Sequence, residues 1–363
     1  MGPTYEAIAH FVHGGVTVFF VTWTWLLWPM RKQSNMMYML FFNMLYFAFC
    51  NIKDIVLLFD GLWFDPYLSG LSVTIDLLYL PIMANFFLEV VNPGWVTKRR
   101  VLIPLAVQAV FIPVFAFFPS YAVFNTALLF AYGGGIVAMV LVCVLAVRHS
   151  RFIKNNYSYT EHIETSWVVK CGILLFLCMT MYVYAFSSET WLSCTVFHIM
   201  CVSTWIYLYT LSRRHSVVPL PAAEMFSFPW VSSPEIPEEK CEDVQPIGDA
   251  FAAISSNLDH AMNVEKMYLN PKLTLQDVAV AIGTNRTYLS EYLNKELQTT
   301  FYEYINDLRV KAACNIIDSM TDDNRHSMLE VSEMSGFNSI STFNRSFAKI
   351  VGMTPSQYAS RNS

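Results

Sequence analysis

The stretch Leu273–Glu296, LTLQDVAVAIGTNRTYLSEYLNKE, decides the architecture of the C-terminal part of the chain. Thr274 stands just before an apolar-periodic run, where a side-chain oxygen can satisfy a free helix amide. Leu275, Val278 and Ala279 give a short helix its apolar face, Gly283 allows a turn, and Asn285–Lys295 form a second helix. The pattern returns at Ser327–Gly352, SMLEVSEMSGFNSISTFNRSFAKIVG. There Val331 and Met334 take the inner face, Gly336 and Phe337 the turn, and Ser339–Ile350 the second helix. Phe301–Ser319 reads as an uninterrupted helix between the copies, with Ile305, Leu308, Ala312 and Ile316 inward. Upstream, Phe251, Ile254, Leu258 and Met262 recur at helical spacing and predict an amphipathic helix over Gly248–Met267. Two helix-turn-helix units on a rigid connecting helix can enter successive major grooves of a duplex, about 34 Å apart.

Outward from this region the chain changes regime. Of 51 Lys, Arg, Asp and Glu residues, 19 precede Ser212 and 32 follow it. Hydrophobic residues make up 55% of the whole and charged residues 14%, against about 25% charged in an average soluble protein. The excess apolar material lies in seven stretches, each near the roughly 20 residues needed to cross a bilayer. They are Ile8–Trp28, Met36–Phe59, Leu68–Val91, Val101–Phe118, Tyr121–Val147, Val168–Phe186 and Trp191–Leu211. The first run lacks a basic leader and is as long as a full span, so no cleaved signal peptide is expected.

Loop charges set an orientation. Arg31 and Lys32 follow the first span, Lys98, Arg99 and Arg100 the third, Arg148, Arg151 and Lys154 the fifth, and Arg213 and Arg214 the seventh. The N-terminal tail and the connections Asp60–Tyr67, Pro119–Ser120 and Ser187–Thr190 contain no Lys or Arg. Under the positive-inside rule this alternation places the N-terminus outside and the C-terminus in the cytoplasm. Trp23, Trp25, Trp28, Trp63, Phe64, Trp95 and Trp167 fall near the interfaces as an aromatic belt. Gly14-Gly15 and Gly133-Gly134-Gly135 are candidates for close helix contact.

Ionisable residues inside a bilayer are costly, which makes them functional candidates. His10 and His13 lie near the outer end of span one, and Asn51, Lys53 and Asp54 near that of span two. Asp76 in span three and His198 in span seven share a depth of roughly 12 Å. Two readings stand: an outward-facing pocket for a small polar ligand, proton or cation, or an Asp76–His198 pair that merely satisfies itself. Lys53 and Asp54 can also snorkel to the interface. Asn85 and Glu89, below Pro81, are candidates for a gate or coupling element. No cofactor is expected and no metal site, because no His pair has ligand spacing on one helix face. The eight cysteines, Cys241 and Cys314 included, read as packing residues rather than a disulfide framework.

Between Arg213 and Ile247 six prolines (Pro219, Pro221, Pro229, Pro234, Pro237, Pro246) exclude a continuous helix, and Glu235, Glu238, Glu239, Glu242 and Asp243 make the stretch acidic. It reads as an extended tether. The expected fold is all-α: a transmembrane seven-span bundle (1–212), this linker (213–247) and a cytoplasmic all-helical DNA-binding domain (248–363).

The runs FYEYINDLRVKAA and GFNSISTFNRSFAKIVGMTPSQY make Leu273–Ser360 resemble the C-terminal domain of AraC-type transcription regulators. The resemblance implies seven helices, with the second helix of each unit reading bases. Carried over by position, base contacts fall on Thr287, Ser290 and Glu291 in the first unit and on Ser341, Asn344 and Arg345 in the second. Asn285, Arg286, Thr342 and Lys349 become phosphate candidates. The chain departs from the family at Gln298, in a turn where the family often has glycine, and at Glu291, which suits cytosine rather than guanine. Pro271–Ser363 holds nine basic against ten acidic residues, so tight binding needs segregated charge or two copies.

Together these features imply a membrane-anchored, one-component bacterial transcription regulator of the inner membrane. The expected partners are double-stranded DNA, the lipid bilayer, a second copy of the chain, RNA polymerase and an unidentified small ligand or ion. Alternatives are a membrane half that only anchors or dimerises, and a transporter with a regulatory tail. Neither a nucleophile elbow, a metal motif nor a phosphate loop points to an enzyme.

Overall fold

The computed structural model describes residues 3–58, 62, 65–188, 190–216, 218, 247–321 and 324–362. The tether prolines and acids between 219 and 246, Cys241, Trp63 and Phe64 lie outside them. Every regular element among the described residues is helical, and the chain divides into two compact units.

The first unit contains residues 1–149 and 165–225. Its helices are α1 (Pro3–Leu27), α2 (Asn35–Asp54), α3 (Pro66–Asp76), α4 (Tyr79–Val91), α5 (Lys98–Ala109), α6 (Phe111–Phe117), α7 (Tyr121–Asn156), α8 (Ser166–Ser188) and α9 (Trp191–Arg214). They make seven segments long and apolar enough to cross a membrane. The third expected span is α3 and α4, interrupted around Leu77–Leu78, and the fourth is α5 and α6, interrupted at Val110. Both breaks have one cause. Proline lacks an N–H and its ring crowds the carbonyl four residues back. Pro81 acts on Leu77 and Pro113 on Ala109, at the two discontinuities. The fifth helix runs nine residues beyond the expected Val147, to Asn156. Its polar extension, Arg148–Asn156, is good helix material with no breaker. Lys98, Arg99 and Arg100 likewise open α5, after a Thr97 cap.

The bundle core joins Phe20, Leu40, Met44, Phe86 and Trp205, all fully buried. Outward, large apolar side chains are bare: Leu102, Phe117, Leu129 and Val137 are 60–79% exposed. Contiguous apolar surface of that kind needs an apolar solvent or a partner. Of the glycine candidates for close helix contact, a Cβ on Gly135 would meet Leu80 at 3.6 Å, while one on Gly14, Gly15, Gly133 or Gly134 would meet no described atom within 4 Å; Gly70 faces the Phe115 ring and Gly172 the Met139 side chain.

The second unit contains residues 150–164 and 226–363. Its helices are the last turns of α7, then α10 (Ile247–Asn263), α11 (Leu275–Ala281), α12 (Arg286–Lys295), α13 (Phe301–Asp318), α14 (Met328–Met334), α15 (Ile340–Val351) and α16 (Pro355–Asn362). Of these, α11–α15 fall within Leu273–Ser360, the stretch that carries the resemblance, α16 runs just past its end and α10 precedes it. The two helix-turn-helix units are α11–α12 and α14–α15, joined by α13. One core packs Ile254, Leu258, Val278, Leu289 and Ile305; the other packs Val310, Ile317, Val331, Phe343 and Phe347. Both cores are therefore anchored on α13.

Capping explains the repeat. Thr274 and Asp277 form a reciprocal capping box at α11, and Ser327 and Glu330 form its counterpart at α14. Gly283 and Gly336 turn the chain at φ +71° and +82°. Two inward assignments shift. Met334 is 48% exposed. On α13 the buried face is Ile305, Asn306, Arg309, Val310, Ala313 and Ile317, with Leu308, Ala312 and Ile316 at its margin. The apolar stripe was displaced because Arg309, buried to 1%, does not announce itself as an inward residue.

Gln298 adopts φ +49°, the left-handed conformation that the family's glycine would supply. Gln298→Gly is expected to raise stability by about 0.5–1 kcal/mol, the Cβ strain relieved less the added unfolded-state entropy. The urea midpoint of a 247–363 fragment measures it.

Candidate nucleic-acid interface and helix-bundle cavity

The second helix of each unit is set by its own cap. The Asn285 side chain accepts from the Tyr288 amide at 2.9 Å, and Ser339 Oγ accepts from the Thr342 amide at 3.2 Å. Each helix then buries one stripe, Leu289, Tyr292 and Leu293 on α12 and Phe343 and Phe347 on α15. The opposite stripe presents the base-contact candidates. Thr287, Ser341, Asn344 and Arg345 are exposed; Ser290 and Glu291 are half-buried. Asn285, expected as a phosphate contact, is thus engaged as the N-cap of α12.

Several charged candidates have partners. Glu291 pairs with Lys295 at 2.8 Å, Lys349 with Glu303 at 3.0 Å, and Arg345 donates to the Tyr302 hydroxyl at 3.2 Å. The first two pairs are solvent-exposed and worth at most about 1 kcal/mol, so a duplex phosphate can displace them. Lys349 and Arg345 lie on one helix with Glu303 and Tyr302 on α13, which orients both side chains along one surface.

Thr342 departs most from expectation. It is buried, and its hydroxyl donates to the Glu161 carboxylate, which also accepts from Ser339 Oγ at 2.8 Å and Asn338 Nδ2 at 3.4 Å. Burial raises the Glu161 pKa, but the bonds from Thr342, its own amide, Ser339 and Asn338 outweigh burial and hold it below the usual carboxylate range. Arg286 has its guanidinium 5.8 Å from the Phe152 ring centroid. Neither Glu161 nor Phe152 was legible as a site residue.

Arg309 organises the same surface from below. It donates to the carbonyls of Tyr268 (2.8 Å) and Asn270 (2.7 Å), and to the carbonyl and hydroxyl of Ser158 (both 3.1 Å). Burial pulls its pKa down to about 10, which leaves it a cation at neutral pH. With Asn306 Oδ1 at 3.4 Å as a further acceptor and no carboxylate in hydrogen-bond contact among the described residues, Arg309 relies on this cage of oxygens, so its partners are held in fixed positions.

In the first unit the expected sensory residues converge. Lys53 Nζ lies 2.6 Å from Asp54 and 2.9 Å from Asp76. The Tyr182 hydroxyl donates to Asp76 at 2.6 Å and Ser72 to Asp54 at 2.6 Å. His13 stacks on His198 with centroids 5.1 Å apart and lies 3.0 Å from the Asn51 carbonyl. His198 Nδ1 is 2.7 Å from the Cys194 carbonyl, and His10 packs edge-on to Trp191. Asp76 and His198 therefore do not pair. Lysine supplies the aspartate's counter-charge, because its flexible stem reaches both carboxylates at once. Both residues instead line one cavity of about 80 Å³, with Asp54, Tyr46, Tyr79 and Phe197. His10, His13 and Lys53 are not among its lining residues. Cys50, Cys178, Cys194 and Cys201 also line it. The Tyr79 hydroxyl, buried there, has no hydrogen-bond partner. Asn85 and Glu89 have local duties: Asn85 donates to the Pro81 carbonyl, and Glu89 accepts from the amides of Gly94 and Val96, closing the turn after α4.

Residues 267–361 match the family model described as a helix-turn-helix domain. The chain is 34% identical over 86 residues to the melibiose operon regulatory protein of Escherichia coli K12, covering 24% of this chain and 27% of that protein. Two Bacillus subtilis proteins described as uncharacterized HTH-type transcriptional regulators are each 28% identical. YtdP matches over 130 residues (36% of this chain, 16% of its own), and YdeC over 109 (30% and 36%). The chain thus spans roughly a quarter of the melibiose regulator's length and little more than a third of either of the others at most. No solved structure gives a significant match. The C-terminal part of the chain is an AraC-type helix-turn-helix domain.

Proposed function

We propose that the protein is a membrane-embedded transcription regulator that binds double-stranded DNA through α12 and α15 and is governed by its helical bundle. The observation that carries the DNA half is the duplicated capped unit on α13, with exposed Thr287, Ser341, Asn344 and Arg345 on the two second helices. Arg345 suits a bidentate contact to guanine, and Lys349 a phosphate. Membrane embedding is supported by seven long apolar helices and by their bare apolar flanks. Regulation from within the bundle is supported by the cavity, whose wall is mostly apolar but holds Asp54, Asp76 and His198. A ligand that binds one bundle conformation better than another shifts the population between them.

Arg345→Ala is expected to cost about 1–3 kcal/mol at one base step and to relax preference there. Lys349→Ala should weaken binding to all duplexes and flatten its salt dependence. Affinity selection from random duplexes, followed by a salt titration, measures both. An unchanged sequence preference in Arg345→Ala would remove α15 as a reading helix. In a reporter strain, Asp76→Asn and His198→Gln are expected to hold output high or low at normal membrane abundance. A wild-type response in both would leave the bundle as a tether alone.

A further inference from the structure

Residues 150–164 join α7 to α8 in sequence, yet they belong to the same compact unit as the helix-turn-helix domain. Four separate features dock them. Ser158 is fully buried; its amide and hydroxyl donate to the Leu273 carbonyl at 3.1 and 2.8 Å, and Arg309 holds its oxygens. Tyr157 forms an antiparallel bridge with Thr274, the cap of α11. Glu161 then sits on Asn338, Ser339 and Thr342 at the start of α15, and Phe152 beneath Arg286 at the start of α12.

The chemistry at α15 is that of an anion site. Two hydroxyls, a side-chain amide and the positive end of a helix converge on one carboxylate. With α15 read as a DNA-binding helix, that position suits a backbone phosphate, which presents the same acceptor oxygens and negative charge. Arg286, at the start of the other reading helix, rests its guanidinium over Phe152 of the same short segment. A single stretch of chain thus touches a phosphate candidate at the start of each second helix, Thr342 on α15 and Arg286 on α12.

We propose that segment 150–164 is a built-in competitor for DNA, with Glu161 as a phosphate mimic on α15 and Phe152 as the ring on which the Arg286 guanidinium rests. The inference rests on the reading of α12 and α15 as DNA-binding helices. When the segment is docked the domain is held off DNA; when it leaves, Thr342, Ser339 and Arg286 become available together. The segment joins the C-terminal end of α7 to the N-terminal end of α8, so a change at either of those ends alters docking directly through the chain. A segment docked nine-tenths of the time weakens apparent DNA affinity about tenfold.

The test uses the full chain in lipid nanodiscs and a fluorescein-labelled 24-base-pair duplex of mixed sequence, read by anisotropy at low salt. Glu161→Gln is expected to bind about tenfold more tightly than wild type. Glu164→Gln removes the same charge three residues on, from a carboxylate that accepts from Ser150 rather than from the α15 hydroxyls. It should stay within about twofold, because net charge alone is a weak, screened effect. Hydrogen exchange should show amides 157–163 losing protection when the duplex is added. The proposal is overturned if Glu161→Gln binds like wild type, if Glu164→Gln gains equally, or if 157–163 stay protected on DNA. Failure of every protein, wild type included, to bind the duplex would overturn the DNA-binding reading itself and this proposal with it.

Discussion

Gly336→Ala is expected to disrupt the second helix-turn-helix unit, at a cost of about 3 kcal/mol or more. Gly336 sits at φ +82°, and a Cβ there would lie 2.6 Å from Leu269 Cα and 2.8 Å from the carbonyl oxygens of Tyr268 and Leu269. Left-handed strain alone costs an alanine about 1–2 kcal/mol. The remainder is a collision with main chain, which has no rotamer to escape into. Relief requires the Met267–Leu269 turn to move, and Arg309 is bonded to the Tyr268 and Asn270 carbonyls at 2.8 and 2.7 Å. The damage therefore reaches the buried guanidinium and, through it, Ser158. Gly283→Ala is the internal control. It occupies the matching turn of the first unit at φ +71°, but its Cβ would meet nothing within 4 Å. It should lose only about 1 kcal/mol. Urea unfolding of a 247–363 fragment distinguishes the two. Equal losses would mean that the close approach of the two turns does not exist.

Lys53→Met is expected to cost about 3–5 kcal/mol, because it leaves two carboxylates facing one another with no cation between them. Lys53 Nζ is within 3 Å of both Asp54 and Asp76, and all three side chains are only 13–15% exposed. The loss should appear as low abundance in carbonate-washed membranes and as a lowered melting temperature in detergent. Adding Asp76→Asn should recover most of it, since one remaining carboxylate keeps the Ser72 hydroxyl as donor. Full abundance of Lys53→Met alone would show that the cluster is not a buried ion network.

Legibility in the sequence depends on the range of the interaction. The long apolar helices, caps and turn glycines were legible because each is a local pattern: Thr274 before an apolar run, Gly283 and Gly336 after one. The doubled capping boxes and the two cores follow from the same short-range periodicity. Residues Lys53, Asp76 and His198 were legible as anomalies in apolar helices, and matched depth placed two of them on one cavity. Their pairing was not legible, because depth says nothing of helix azimuth; Asp76 turned to Lys53 and Tyr182, and His198 to His13. The extended α7 was missed because a polar continuation of an apolar helix leaves no break in helical propensity. Arg309 was overlooked because a long polar side chain reads as surface unless its acceptors are known, and those are carbonyls 39 to 151 residues away. Glu161 carries no local signal at all. It is one acid in a polar loop, 181 positions from the threonine it accepts from.

The central claim is that one chain is held in the membrane while it reads specific DNA. Sequencing the DNA cross-linked to the full chain in carbonate-washed membranes tests it directly. The account predicts a small set of discrete sites, each with two half-sites about one helical turn apart, lost in Arg345→Ala. Recovery of the chain or its DNA only from the soluble fraction, or membrane-bound chain with no enriched site, would contradict it.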